Sequence, residues 1–225
     1  MSSLHYLLGI QFQNGLKTIQ ISASGGTFFT FISPKPLVLV SFLTQTNNLE
    51  LYIMKLSPKM KKALDDQVTL EASASNSYLA MASWCEVTGY QGAANYFYAQ
   101  SDEERTHMLK LVHFLNALGA VATIPAIKAP VSSYKSLEGL IKSALKNEQI
   151  VTAAIHKMVE IAQKEKDHST YAFLEWFVNE QVQEETKFET ILQKFDLLGR
   201  DKLGINEIDK YLATQAAKPQ TDPTA

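Results

Sequence analysis

Four stretches of this chain carry apolar residues at helical spacing, and the links between them are very unequal in length. Ser57-Pro58 reads as an N-cap followed by proline at the first helical position, and the periodic run it opens lasts to about Glu86. After the turn Thr88-Gly89-Tyr90-Gln91-Gly92, a second run extends from about Gln91 to Leu118 and stops at Gly119. Residues 119–135 hold Pro125 and Pro130 and no helical period. Ser136 caps a third run, about Leu137 to Lys164. Glu165-Lys166-Asp167-His168 breaks it, and a fourth run reaches about Leu198 and ends at Gly199. A short fifth helix is expected from about Asn206 to Thr214, ahead of a polar tail with Pro219 and Pro223.

The links set the topology. A helix of roughly 28 residues is about 42 Å long at 1.5 Å per residue. Short links after the first and third helices make antiparallel hairpins, whereas the 119–135 link can stretch to about 56 Å and run the length of a bundle. The second and third helices should therefore be parallel. The expected fold is all-α: a four-helix bundle with one long crossover between helices two and three, plus a short fifth C-terminal helix.

Residues 1–53 read differently. They contain no Asp or Glu before Glu50 and only two cations, Lys17 and Lys35. They lack the charged start and small-residue cleavage pattern of a secretory signal, and Pro34 and Pro36 interrupt their most apolar part. An organellar import peptide fits the scarcity of acid but not the absence of Arg. A genuine N-terminal arm is a second reading. The preferred one is upstream sequence from too early a start codon, with Met54 the true start and residues 54–225 the functional domain; the codons of Leu49-Glu50 could encode a ribosome-binding stretch. The chain as a whole is 46% hydrophobic with a formal charge of -2, which suits a packed core and offers no basic footprint for nucleic acid. The single cysteine, Cys85, excludes an intramolecular disulfide and a cysteine zinc site, and fits a reducing compartment. No apolar run reaches the roughly 20 residues of a membrane span.

Each apolar seam is broken by a glutamate. The first reads Leu64, Val68, Glu71, Ser75, Tyr78, Ala82, Cys85; the second Phe97, Gln100, Glu104, His107, Leu111, Phe114, Leu118. The third reads Leu137, Ile141, Ala144, Glu148, Val151, Ile155, Met158, Ala162; the fourth Phe177, Gln181, Glu184, Phe188, Ile191, Phe195. All four glutamates fall near the middle of their helices, in one layer. Four ionised carboxylates cannot share a dry layer unpaired. Protonation or basic partners could relieve them, but the seams supply no Lys or Arg beside this layer. A pair of multivalent cations is the more economical solution. Glu104-x-x-His107 sharpens this, because residues at i and i+3 share a helix face and can reach one metal. Hard oxygens plus one imidazole suit iron or manganese better than calcium or structural zinc.

At these residues the chain resembles the bacterial non-haem ferritins, over essentially all of 54–225. Thr69-Leu70-Glu71, Asp102-Glu103-Glu104-Arg105-Thr106-His107-Met108, Asn147-Glu148-Gln149 and Asn179-Glu180-Gln181 carry the likeness, with Glu184-Glu185 and Phe173-Leu174-Glu175-Trp176. The resemblance implies a ferritin-like bundle in which Glu71, Glu104 and His107 hold a first iron. Glu104 would bridge to a second, held by Glu148 and Glu184. Gln181 would stand where it could hydrogen-bond dioxygen, Tyr78 would match the family's site tyrosine, and Trp176 its nearby tryptophan. A third iron would correspond to Glu103, Glu180, Gln183 and Glu184, with Gln183 replacing the usual Glu.

Two departures separate subfamilies. Bacterioferritins and rubrerythrin-like proteins carry a second ExxH, but Lys187 follows Glu184 and Val151 follows Glu148 at that spacing. Arg105 stands where bacterioferritins have a haem-ligating Met, so no haem is expected. The implied activity is ferroxidase: Fe(II) is oxidised by O2 or H2O2 and stored as a ferric mineral in a cytoplasmic homo-oligomeric cage of 24 subunits. The fifth helix around Ile205–Leu212 would line its four-fold axis. The rival reading is a non-storing di-iron oxidase or peroxidase. Plainer expectations apply to other residues: His113, His156 and His168 as surface or packing histidines, Glu185 a solvated charge, Cys85 an inert buried thiol, and Trp176 with the phenylalanines as core.

Overall fold

The computed structural model describes residues 6–13, 16–23, 28–33 and 56–217. The chain divides into two compact units, Met1–Met54 and Lys55–Ala225. In the first, β1 (Tyr6–Gln13), β2 (Leu16–Ala23) and β3 (Phe28–Ser33) form an antiparallel sheet in the order β1-β2-β3. Tyr6 pairs with Ala23 and Gln13 with Leu16, while Lys17 pairs with Ser33 and Ser22 with Phe28. The sequence reading assigned no element to this stretch. Met54 and the tail with Pro219 and Pro223 lie outside the described residues.

The second unit is all helix: α1 (Pro58–Thr88), α2 (Gln91–Ala117), α3 (Leu137–Glu165), α4 (His168–Leu198) and α5 (Lys202–Ala216). The expected caps are present. Ser57 Oγ accepts from the Met60 N–H at 3.0 Å, and Ser136 Oγ from the Gly139 N–H at 3.1 Å. Gly89 ends α1 in the left-handed region at φ 91°, a conformation that costs glycine little. Lys166 takes the same turn between α3 and α4 at φ 57°, and Asp167 caps α4 through the Thr170 N–H at 3.0 Å.

Helix α5 begins about a turn earlier than the sequence reading placed it. Asp201 is the cap, accepting from the Gly204 N–H at 2.8 Å, so Gly204 lies inside the helix. Its lack of a side chain is required there. A Cβ at 204 would stand 2.4 Å from the Leu198 carbonyl oxygen.

The core lies in two apolar halves. One gathers Tyr78–Cys85 of α1, Ala93–Phe97 of α2, Leu137–Ala144 of α3 and Phe188–Phe195 of α4, closed by Ile208 and Leu212 of α5. The other gathers Met60–Val68 of α1, Leu111 and Leu115 of α2, Val151–Ala162 of α3, and Leu174 and Phe177 of α4. The starts of α2 and α3 therefore share an end, so these helices run parallel and the 118–136 link crosses the bundle. Burying each Leu or Phe contributes about 1.5–3 kcal/mol, and together these residues hold the four helices in register. Side-chain ties fix the ends. Ser57 Oγ donates to Glu165 at 2.6 Å, and Asp65 accepts from the Thr123 N–H at 3.0 Å, pinning the crossover.

The third and fourth seams are buried as read. In the first, Ala74 is buried and Ser75 half-buried, its hydroxyl 2.7 Å from the Ser101 carbonyl oxygen. In the second, Leu115 is buried while Phe114 is half-buried and stacks on Phe173 at 3.7 Å between ring centroids. The helix turns slightly off the 3-4 register assumed for its last two turns.

Candidate metal centre

Between the two apolar halves every helix contributes one inward carboxylate: Glu71 from α1, Glu104 from α2, Glu148 from α3 and Glu184 from α4, each 1% exposed. Apolar side chains close this layer above and below, so little water reaches it. Two like charges 4 Å apart repel by about 4 kcal/mol at an effective dielectric of 20. Burial first, and the Glu104 charge second, push Glu71 well above the usual carboxylate range. Burial followed by the Glu148 charge does the same to Glu104. Burial raises Glu148 against the opposing hydrogen bonds of Tyr78 and Gln181. Burial and the Glu103 charge bring Glu184 to about 8. Without multivalent cations the layer holds protons that it would give up to a metal.

The histidine-bearing half is compact. Ligand atoms of Glu71, Glu104 and His107 all lie within 4.8 Å of one another, and His107 Nδ1 is 3.7 Å from Glu104 Oε2. Gln67 Nε2 donates to Glu71 Oε1 at 2.8 Å, leaving Glu71 Oε2 buried with no hydrogen-bond partner among the described residues. Trp176 and Phe177 wall the His107 ring edge-on at 5.3 and 6.3 Å, and Lys110 Nζ stands 3.6 Å over the Trp176 ring. Trp176 is half-buried and packs edge-to-face on the imidazole.

The other half has no histidine. Tyr78 donates its hydroxyl proton to Glu148 Oε1 across the bundle. Gln181 Nε2 lies 3.2 Å from Glu148 Oε2 and 3.1 Å from Thr152 Oγ1, so its amide N–H groups are directed at α3. Glu184 Oε2, like Glu71 Oε2, is buried without a hydrogen-bond partner among the described residues. Such an oxygen costs roughly 1–3 kcal/mol when left unmet and is the atom a cation would satisfy. The grouped oxygens of Glu71 and Glu104 with the His107 nitrogen therefore fit a hard cation, whereas Glu148 and Glu184 join no such group among the described residues.

The neighbouring carboxylates are also inside. Glu103 and Glu180 are buried, and ligand atoms of Glu103, His107 and Glu180 fall within 4.8 Å of one another. Gln100 Nε2 donates to Glu103 Oε2. Gln183 is exposed and does not join them. One expectation fails here. The seams lack Lys and Arg, yet Lys187 Nζ reaches Glu184 Oε1 at 2.7 Å and Glu103 Oε1 at 3.3 Å. Lys187 sits one position off the seam, and its long side chain curls back to the layer.

Gln67, Gln100, Tyr96, Thr152 and Lys187 are partners of this layer that the seam pattern did not single out as functional. Gln67 and Gln100 each lie a helical turn before a candidate ligand, at i−4 from Glu71 and Glu104. Their signal was an amide in an otherwise apolar stripe. Glu185 is half-buried rather than solvated, accepting from Thr152 Oγ1 at 2.6 Å. His113, His156 and His168 are exposed, and the Cys85 thiol is buried and pushed up to about 12, first by burial.

Comparison with known proteins agrees with this architecture. The model of the ferritin-like domain family matches residues 61–198. A probable bacterial non-heme ferritin-like protein of Haemophilus influenzae is 41% identical over 163 residues, covering 72% of this chain and 99% of that protein. A bacterial non-heme ferritin of Staphylococcus aureus is 38% identical over 160 residues, covering 71% and 96%. Among solved structures, an open pore ferritin from Archaeoglobus fulgidus superposes with a TM-score of 0.69 at 36% identity, covering 71% of this chain and 98% of that one.

Proposed function

This chain belongs to the ferritin family of ferritin-like domains, and we propose that it is a bacterial-type non-haem ferritin that oxidises Fe(II) and stores the product as ferric mineral. The observation that carries this reading is the buried layer of Glu71, Glu104, Glu148 and Glu184 with His107 beside it. Iron is the substrate. Glu71, Glu104 and His107 would hold one Fe(II), and Glu148 and Glu184 the other, with Glu104 between them. Two Fe(II) ions give up two electrons, which reduce O2 with two protons to H2O2, or H2O2 with two protons to two waters. Tyr78 and Gln181 hold Glu148 in place, and the apolar halves keep bulk water away.

A mineral needs an enclosing shell, so the reading includes a homo-oligomeric cage of 24 subunits. Large apolar side chains left exposed on the described unit support extensive subunit contacts, among them Val121, Ile124 and Val131 of the crossover and Leu203 of α5. No described helix is long and apolar enough to cross a membrane, and the reading places the cage in the cytoplasm. Residues 54–225 are the functional domain in this account. Size-exclusion chromatography with light scattering, followed by aerobic Fe(II) loading, tests it. A large particle that retains the iron it oxidises is the expected result. A stable dimer that oxidises iron without retaining it would overturn storage in favour of a di-iron oxidase.

A further inference from the structure

Lys187 is the feature of the metal layer that the functional reading leaves unused. It lies on α4 one turn after Glu184 and reaches across to α2. Its ammonium is 2.7 Å from Glu184 Oε1 and 3.3 and 3.4 Å from the two oxygens of Glu103. Its side chain is 35% exposed, whereas Glu103 and Glu184 are buried, so the positive charge enters the layer from its solvent edge. Resting on the reading of this layer as a metal centre, we propose that Lys187 is a built-in cation occupying the position between Glu103 and Glu184, restricting each subunit to two bound metal ions.

The charge and donor pattern on this edge support the assignment. Glu103 lies with His107 and Glu180 close enough to share an ion, and Glu184 presents a third carboxylate, joined to Glu103 through the Lys187 ammonium. That is a donor set a divalent cation would take if the space between Glu103 and Glu184 were free. It is not free. The ammonium satisfies one oxygen of Glu184 and bridges to Glu103, whose Oε2 also accepts from Gln100 Nε2. Gln183, the residue that would add a donor on this side, is exposed and neutral. A metal entering here would have to displace a cation already held by two carboxylates.

The consequence is a count. The metal-free, assembled full-length protein is titrated with Co(II) under anaerobic conditions, and bound cobalt per subunit is measured by calorimetry and by metal analysis after desalting. Wild type takes up two ions and Lys187→Arg, which keeps the charge, also two. Lys187→Met and the less disruptive Lys187→Gln take up three, the additional ion binding at least tenfold more tightly than any third ion on wild type. Three ions on wild type, or two on a folded Lys187→Gln, would overturn the role of Lys187 while leaving the two-metal centre standing. A wild type that binds none would overturn the metal centre itself, and this proposal with it. Circular dichroism of each variant establishes that the helices are intact before the count is read.

Discussion

Tyr78 on α1 and Glu148 on α3 meet across the centre of the bundle, the phenol donating to Oε1 of the carboxylate. Phe97 and Phe188 flank the ring at 5.7 and 6.0 Å between centroids and pack the phenol in the apolar core. The pair ties two helices that are neither consecutive nor joined by a short link.

Tyr78→Phe removes that donor and leaves Glu148 short of a partner. The metal-free protein should lose about 1–3 kcal/mol, the cost of an unmet buried acceptor. With Fe(II) or Co(II) bound, the carboxylate has a cation instead, and most of the loss should disappear. Chemical unfolding of both forms checks this. Equal losses with and without metal would show that Glu148 does not turn to the metal.

The raised carboxylates set a pH dependence with a definite sign. A glutamate whose folded pKa exceeds its unfolded value keeps its proton in the native state after the unfolded chain has lost it. Stability is therefore full below the ordinary value of 4.5 and falls as pH rises toward the folded value, about 8 for Glu184. Metal-free protein should be most stable in mildly acidic solution and lose stability toward pH 8. Bound metal should flatten or reverse that slope, with protons released on binding. Thermal unfolding from pH 5 to 8, with and without Co(II), tests it. A metal-free form that gains stability over this range would contradict the account.

The fifth helix is seated by Asp209, whose carboxylate accepts the N–H groups of Gly92 and Ala93 at 3.1 and 2.8 Å, capping the start of α2. The contact is so close that a Cβ at Gly92 would stand 1.9 Å from the Asp209 carbonyl oxygen. Gly92→Ala should displace α5 at a cost of about 1–3 kcal/mol. Asp209→Ala should cost about 1 kcal/mol through the lost cap. Both changes lie an apolar layer away from Glu104, so Co(II) binding should persist while the oligomer weakens. Light scattering and metal binding on the same samples separate the two effects.

A chain beginning at Met54 should assemble and oxidise iron as the full-length chain does. Particle mass and initial oxidation rate are the measurements. A truncated chain that stays monomeric would assign residues 1–53 a part in assembly.

Most of the helical unit was legible because its signals are local. Ser57, Ser136, Gly89 and Gly199 mark helix ends by side-chain and backbone chemistry that needs no tertiary context. The glutamates at 71, 104, 148 and 184 stood out because a charge in an apolar stripe is rare. Lys187 escaped because its Cα lies off the stripe, and a seam pattern records where a side chain starts rather than where its end group goes. The start of α5 was missed because Gly204 reads as a break, whereas close packing against Leu198 and Gly199 demands glycine within the helix. The strands β1 to β3 carry a different kind of signal, the dipeptide Asn14-Gly15 between Gln13 and Leu16, which marks a two-residue hairpin link and has no helical period.

The central claim is that Glu104, between the histidine-bearing and carboxylate-only halves, is required for iron oxidation. The direct measurement is the stopped-flow initial rate of ferric-oxo absorbance after mixing Fe(II) with aerobic protein, for wild type and Glu104→Ala. The account predicts a fall of roughly 100-fold or more, since loss of even a supporting partner at a metal centre commonly costs 10–100-fold. A folded, assembled Glu104→Ala protein that oxidises Fe(II) as fast as wild type would contradict it.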